Sequence, residues 1–138
     1  MDNNTTKLPI EEGLTKEQLN NPEKLAEFII SVLDSKKAHD LKLLHVEKRT
    51  IIADYFIVCN GTSRTQLKAL ADEVEYKLGQ YGLAPLHIEG ADSGVWILED
   101  FGSVIVHIFT PDSRKFYNLD KLYEETTERD ISSLITED

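Results

Sequence analysis

Ala53-Asp54-Tyr55-Phe56-Ile57-Val58-Cys59-Asn60-Gly61-Thr62-Ser63-Arg64-Thr65-Gln66 is the stretch on which the fold turns. The apolar run from Tyr55 to Cys59 has no polar alternation, the pattern of a strand covered on both faces. Gly61 ends it, and Ser63 with Gln66 three residues later has the spacing of a capping box, in which a side-chain oxygen takes up an orphan helical amide. Leu67, Leu70, Ala71, Val74, Leu78 and Tyr81 then recur at helical spacing as far as Gly82. A buried strand leading through a glycine turn into a long amphipathic helix predicts an α/β layer fold with this strand central in the sheet.

Outward from that unit, Asn21-Pro22 predicts a helix start, because Asn accepts a bond from a free helical amide and Pro at the first position lacks only a donor that had no partner. Leu25, Phe28, Ile29, Val32 and Leu33 give this helix one apolar stripe, and Asp40 to Glu47 reads as a short strand. Further on, Pro85 to Glu89 is a short extended run. Val95 to Glu99 and Ser103 to Phe109 are joined by Asp100, Phe101 and Gly102 and read as a hairpin whose second strand is again nearly all apolar. Pro111 breaks the pattern, and Asp112 or Ser113 caps a helical segment around Arg114 to Tyr123. The expected architecture is α/β, a mixed sheet of about five strands flanked by helices. Residues 1–20 read as a flexible extension in which Thr15 and Gln18 allow one capped turn, residues 21–123 as the folded domain, and residues 124–138 as a mobile acidic tail.

Composition narrows the function. The chain of 138 residues carries a net charge of −10, of which −5 falls on residues 124–138 and −2 on residues 1–21. The middle is nearly balanced, without the basic footprint that phosphate contacts require, so a protein partner is expected rather than nucleic acid. No apolar run approaches the roughly 18 residues of a membrane span, and the opening residues lack the marks of an export or transit signal. With a single cysteine, Cys59, the chain reads as a cytoplasmic protein without disulfides.

The search for chemistry yields little. The Gly61-Thr62-Ser63 turn has the place of a phosphate cradle but lacks a second glycine or a Gly-Lys-Ser/Thr element, so helix capping accounts for it. Nucleotidyltransferases set two carboxylates, two residues apart, on the strand after such a turn, and Leu86-His87-Ile88-Glu89 offers one. His39, His45, His87 and His107 show no metal-ligand spacing. His107 reads as a core imidazole and Cys59 as a small buried hydrophobe. No cofactor, metal or catalytic residue is therefore expected. Asp54 and Asp100 occupy ordinary places for an Asp that bonds local amides, and Glu89 with Asp92 or Asp100 remains the only metal-ligand set for a nucleotide-dependent enzyme. Trp96 and Phe101 on the hairpin stand out as interface aromatics, although core packing explains Trp96 equally well. By alternation Trp96, Leu98 and Asp100 share one strand face, and Val95, Ile97 and Glu99 the other.

Several separated motifs together resemble one family. They are Asp54-Tyr55-Phe56-Ile57-Val58, Asn60-Gly61-Thr62-Ser63 with Gln66, Glu89-Gly90, Trp96-Ile97-Leu98 with Asp100 and Gly102, Val106-His107 with Phe109, and Arg114, Tyr117, Leu119 and Leu122. In this order, over about residues 22–123, they resemble the ribosomal silencing factors, the Iojap-like family. Tyr123 departs from the family pattern, which often has tryptophan there, and both chain ends lie outside the common core. The resemblance implies a nucleotidyltransferase-like fold without catalytic carboxylates. It implies binding to the large ribosomal subunit through ribosomal protein fourteen on the intersubunit face, which blocks joining to the small subunit and lowers translation when nutrients are short. A role in large-subunit biogenesis and a homodimer are also implied. Carried over by position, Trp96, Phe101, Leu98 and Asp100 fall at the docking surface, with Arg114 and Tyr117 as further family positions that either touch the partner or support the hairpin.

Overall fold

The computed structural model describes residues 14–48, 51–116 and 124–136. In chain order its elements are α1 (Lys16–Leu19), α2 (Pro22–Ser35), β1 (His39–Val46), β2 (Tyr55–Asn60), α3 (Arg64–Gly79), β3 (His87–Glu89), β4 (Trp96–Asp100), β5 (Val104–Phe109), α4 (Pro111–Phe116) and β6 (Thr126–Arg129). The six strands form one mixed sheet in the order β3-β4-β5-β2-β1-β6. β2 and β5 pair in parallel at its centre, and every other pair is antiparallel. This is the expected class with one more strand than the sequence suggested.

Local chemistry sets the helix starts. Asn21 Oδ1 accepts the Lys24 amide, and Pro22 takes the first helical position. Ser63 Oγ accepts the Gln66 amide at 3.1 Å. Gln66 answers differently from a standard capping box: its Oε1 receives the Thr62 amide and hydroxyl, while its Nε2 donates to the carbonyls of Lys36 and Lys37. One glutamine thus ties the start of α3 to the end of α2. Gly61 is favoured by contact, since a Cβ there would sit a tight 3.1 Å from the Leu67 amide nitrogen.

One sheet face is covered by α2 and α3. Phe28, Ile29, Leu33, Leu67, Leu70, Val74 and Leu78 pack there with Ile57, Cys59, Ile97, Val104, Val106 and Ile108. The other face holds a smaller cluster of Leu44, Ala53, Phe56, Val58 and Phe109, flanked by half-buried Val46, Ile51, Trp96 and Ile105. β2 contributes to both, which explains its unbroken apolar run. Among the described residues no helix is long and apolar enough to cross a membrane.

Three expectations about the ends are corrected. Residues 14–20 are not simply loose: α1 opens with the capping box of Thr15 and Gln18, and Leu14 and Leu19 pack against the core. The acidic tail is folded. β6 pairs with β1 from Leu43↔Arg129 to Val46↔Thr126, Ile131 is buried, Leu134 and Ile135 pack beside it, and the Thr136 amide donates to Asp34 Oδ2. The last helix starts earlier than predicted, with Pro111 at its first position and Thr110 Oγ1 accepting the Ser113 amide, the capping role assigned to Asp112 or Ser113.

Candidate functional site

β4 alternates as its sequence requires. Trp96, Leu98 and Asp100 lie half-buried on the sheet face away from α2 and α3, while Ile97 and Glu99 turn inward and are buried. In register they stand opposite Phe109, His107 and Ile105 of β5. Trp96 stacks on Phe109 with ring centroids 5.5 Å apart and planes 11° from parallel, and on His107 at 6.1 Å and 17°. The indole Nε1–H donates to His107 Nδ1 at 3.4 Å.

The backbone beneath Trp96 is held from several sides. Ser93 Oγ accepts the amides of Val95 at 3.2 Å and Trp96 at 3.3 Å and bonds the Gly90 carbonyl at 2.8 Å. Gly90 has φ +79°, and a Cβ on it would collide with the Trp96 carbonyl oxygen, so this turn admits only glycine. From α4, Ser113 hydrogen-bonds the Val95 carbonyl, which also receives the Thr110 amide at 3.0 Å.

The hairpin turn revises the aromatic pair. Asp100 Oδ1 accepts the Gly102 amide at 2.7 Å, Gly102 has φ +88°, and the Phe101 amide donates to the Val104 carbonyl at 2.9 Å. This tight turn sends the Phe101 ring, 6% exposed, into the helix-side core. Phe101 therefore anchors the turn from inside, and the expectation that its ring lies on the surface is corrected. Leu86, which the sequence reading passed over, is 76% exposed and donates its amide to the Asp100 carbonyl beside the turn. An apolar residue directly after Pro85, outside any periodic pattern, was the only signal for it.

Arg114 also points inward. Its side chain is 9% exposed, and its guanidinium donates to Asn60 Oδ1 at 2.8 Å and to the Asp40 carbonyl at 2.9 Å, with Asp40 Oδ2 at 3.3 Å. It clamps α4 to the end of β2 and the start of β1. Tyr117, with Leu119 and Leu122, lies outside the described residues.

Few ionisable groups among the described residues are strongly shifted by desolvation. Burial pushes the Cys59 thiol up to about 12, which leaves it inert at neutral pH. His107 is half-buried, and the desolvation of its ring lowers it to about 4, so it is neutral and free to accept the indole N–H. Glu99 is 1% exposed and neither carboxyl oxygen has a hydrogen-bond partner. Burial, reinforced by Glu75 and Asp72 on α3, pushes it up to about 8.

The residues of the rival enzyme reading do not assemble. Glu89 pairs with His87 at 2.7 Å, Asp100 is engaged on its own turn, and among the described residues no three His, Cys, Asp or Glu side chains converge in a way that could hold a metal ion. The amides of Thr62, Gln66 and Leu67 at the glycine turn are already bonded within the chain.

Residues 19–138 match the sequence model of a family described as "Ribosomal silencing factor during starvation", so the match takes in the folded acidic tail. The chain is 34% identical over 111 residues to ribosomal silencing factor RsfS of Bacillus subtilis, covering 80% of this chain and 94% of that protein. It is 31% identical over 103 residues to mouse "Mitochondrial assembly of ribosomal large subunit protein 1", covering 70% of this chain and 44% of the relative. A crystal structure of a Chromobacterium violaceum protein superposes with a TM-score of 0.70 at 33% identity, over 76% of this chain and 88% of that one. With the family's pattern matched from residue 19 to the last residue and this identity to a relative covered almost end to end, the chain belongs to the ribosomal silencing factor family.

Proposed function

We propose that this protein docks on the large ribosomal subunit, through ribosomal protein fourteen on the intersubunit face, and blocks subunit joining by occupying that surface. Translation falls as a result when nutrients are short, and the same contact serves large-subunit biogenesis. Membership of the family supports this reading, as does the mouse relative, named for assembly of the mitochondrial large ribosomal subunit. The observation that carries it to particular residues is the outer strip of β4, where Trp96 and Leu98 offer a rigid apolar patch bounded by Asp100.

The mechanism requires no chemistry. A Trp locked by stacking loses little freedom on binding, and such an anchor gives affinity from a modest interface. Ile97 and Phe101 on the inner side fix the strip against the core, and Arg114 fixes the segment behind it. Leu86 extends the apolar surface beside the turn. The net charge of −10 disfavours rRNA and favours a protein patch, which gives selectivity. The protein acts in this reading as a cytoplasmic, non-catalytic factor on a nucleotidyltransferase-like scaffold, and self-association through the same strip would compete with docking.

Co-sedimentation with purified large subunits tests the proposal. The wild type pellets with the subunit, and folded Trp96→Ala stays in solution. Equal pelleting of both would remove Trp96 from the interface, and absence of wild-type binding would overturn the docking reading itself.

A further inference from the structure

Trp96 supplies a ring for docking, but docking alone does not explain why a histidine lies beneath it. His107 lies in register between Leu98 on β4 and Val58 on β2. It is nearly parallel to Phe109, at 6.2 Å and 6°, and meets Phe56 edge-on at 5.6 Å and 86°. These neighbours carry no charge and would accept a phenyl ring equally well. An imidazole adds two ring nitrogens to that shape, and one of them, Nδ1, stands 3.4 Å from the Trp96 indole nitrogen. A ring nitrogen that accepts an N–H carries no proton of its own, so the proton of neutral His107 sits on Nε2.

Building on the docking reading, we propose that His107 is a positioning residue for Trp96: its unprotonated Nδ1 accepts the indole N–H and holds the ring in the one orientation that meets the protein partner. Stacking on Phe109 fixes the indole plane but leaves rotation within that plane open, and the hydrogen bond closes it. Desolvation of the half-buried ring supports the assignment, because it keeps the imidazole neutral throughout the physiological range.

Trp96 is the only tryptophan, so the indole N–H resonance of the full-length protein identifies the contact without further assignment. His107→Phe keeps a ring and removes the acceptor, whereas His107→Asn sets an amide oxygen near the place of Nδ1. The expected result is an upfield shift and faster solvent exchange of the indole N–H in His107→Phe, with about three- to tenfold weaker large-subunit binding, the loss of one hydrogen bond. His107→Asn restores the resonance and most of the binding even where it melts lower than His107→Phe. That ordering separates positioning from stability. An unchanged indole resonance in His107→Phe overturns the contact, and binding that follows melting temperature across the two variants overturns the positioning role. A shifted resonance with undiminished binding overturns its use in docking. Should the wild type fail to bind, the docking reading falls and this use of the contact with it.

Discussion

Replacing Glu99 by leucine is expected to stabilise the protein, and to do so more strongly as the pH rises. The carboxyl is 1% exposed, unpartnered, and faces Glu75, Asp72 and Lys68 across the β4–α3 contact, with Lys68 already paired to Asp72 at 3.1 Å. Its pKa of about 8 in the fold stands against 4.5 for an ordinary Glu. A group whose folded pKa is raised contributes no penalty below its unfolded pKa and loses stability progressively as the pH climbs to the folded one. At about 1.4 kcal/mol per unit, the wild type therefore forfeits about 3 kcal/mol at pH 7 and about 5 kcal/mol above pH 8. Glu99→Leu escapes this, gaining roughly 10 °C in Tm at pH 7 for a chain of this size. Urea unfolding followed by circular dichroism at pH 4.5, 7 and 8.5 measures the difference, and any packing effect of leucine adds a constant offset. A stability difference that does not change with pH would refute the reasoning, because it would mean that Glu99 ionises as readily in the fold as in the open chain.

Other expectations follow from the same contacts. The pH profile of the wild type should be highest between about 4.5 and 6.5, where the opposed slopes of Glu99 and of His107, lowered from 6.5 to about 4, offset each other. Stability then falls toward pH 8 through Glu99 and below pH 4.5 through His107, as calorimetry across this range will show. Gly90→Ala should lose at least about 2 kcal/mol in denaturant titrations, since its positive φ and the Trp96 carbonyl both oppose a Cβ. Arg114→Ala should cost about 2 kcal/mol by unfolding while leaving ribosome binding of the folded fraction intact, and Arg114→Lys should recover part of the loss, because a single guanidinium nitrogen, Nη1, makes the bonds to both Asn60 and Asp40. Ile131→Ala should cost about 2–3 kcal/mol by thermal melting, and a chain ending at residue 123 should be destabilised further through loss of β6.

Much of the central unit was legible because its signals are local. The apolar run of β2, the capping serine of α3 and the stripe of α2 each declare themselves within a dozen residues, and the order of elements then implies a mixed sheet. β6 had no such signal. Thr126–Arg129 is polar throughout and becomes a strand only because the edge of β1, 80 residues away in sequence, offers unpaired backbone groups. Ile131, Leu134 and Ile135 were the sole hint that the acidic end had something to bury.

The candidate site was legible to the same extent. Alternation along β4 correctly placed Trp96, Leu98 and Asp100 on one face, and the tendency of Asp to bond nearby amides correctly described Asp100. Phe101 was misjudged because a turn residue's direction depends on the turn, here set by Gly102 at positive φ. The inward role of Arg114 rests on partners 54 and 74 residues away, and the meeting of His107 with Trp96 on the register of β4 against β5. Neither relation leaves a mark in a linear reading.

The most direct measurement is subunit joining itself. Purified large subunits are incubated with a molar excess of this protein, small subunits are added, and joined particles are resolved on a sucrose gradient. The account predicts that the wild type depletes the joined peak while folded Trp96→Ala leaves it intact. Normal joining in the presence of saturating wild-type protein would contradict it.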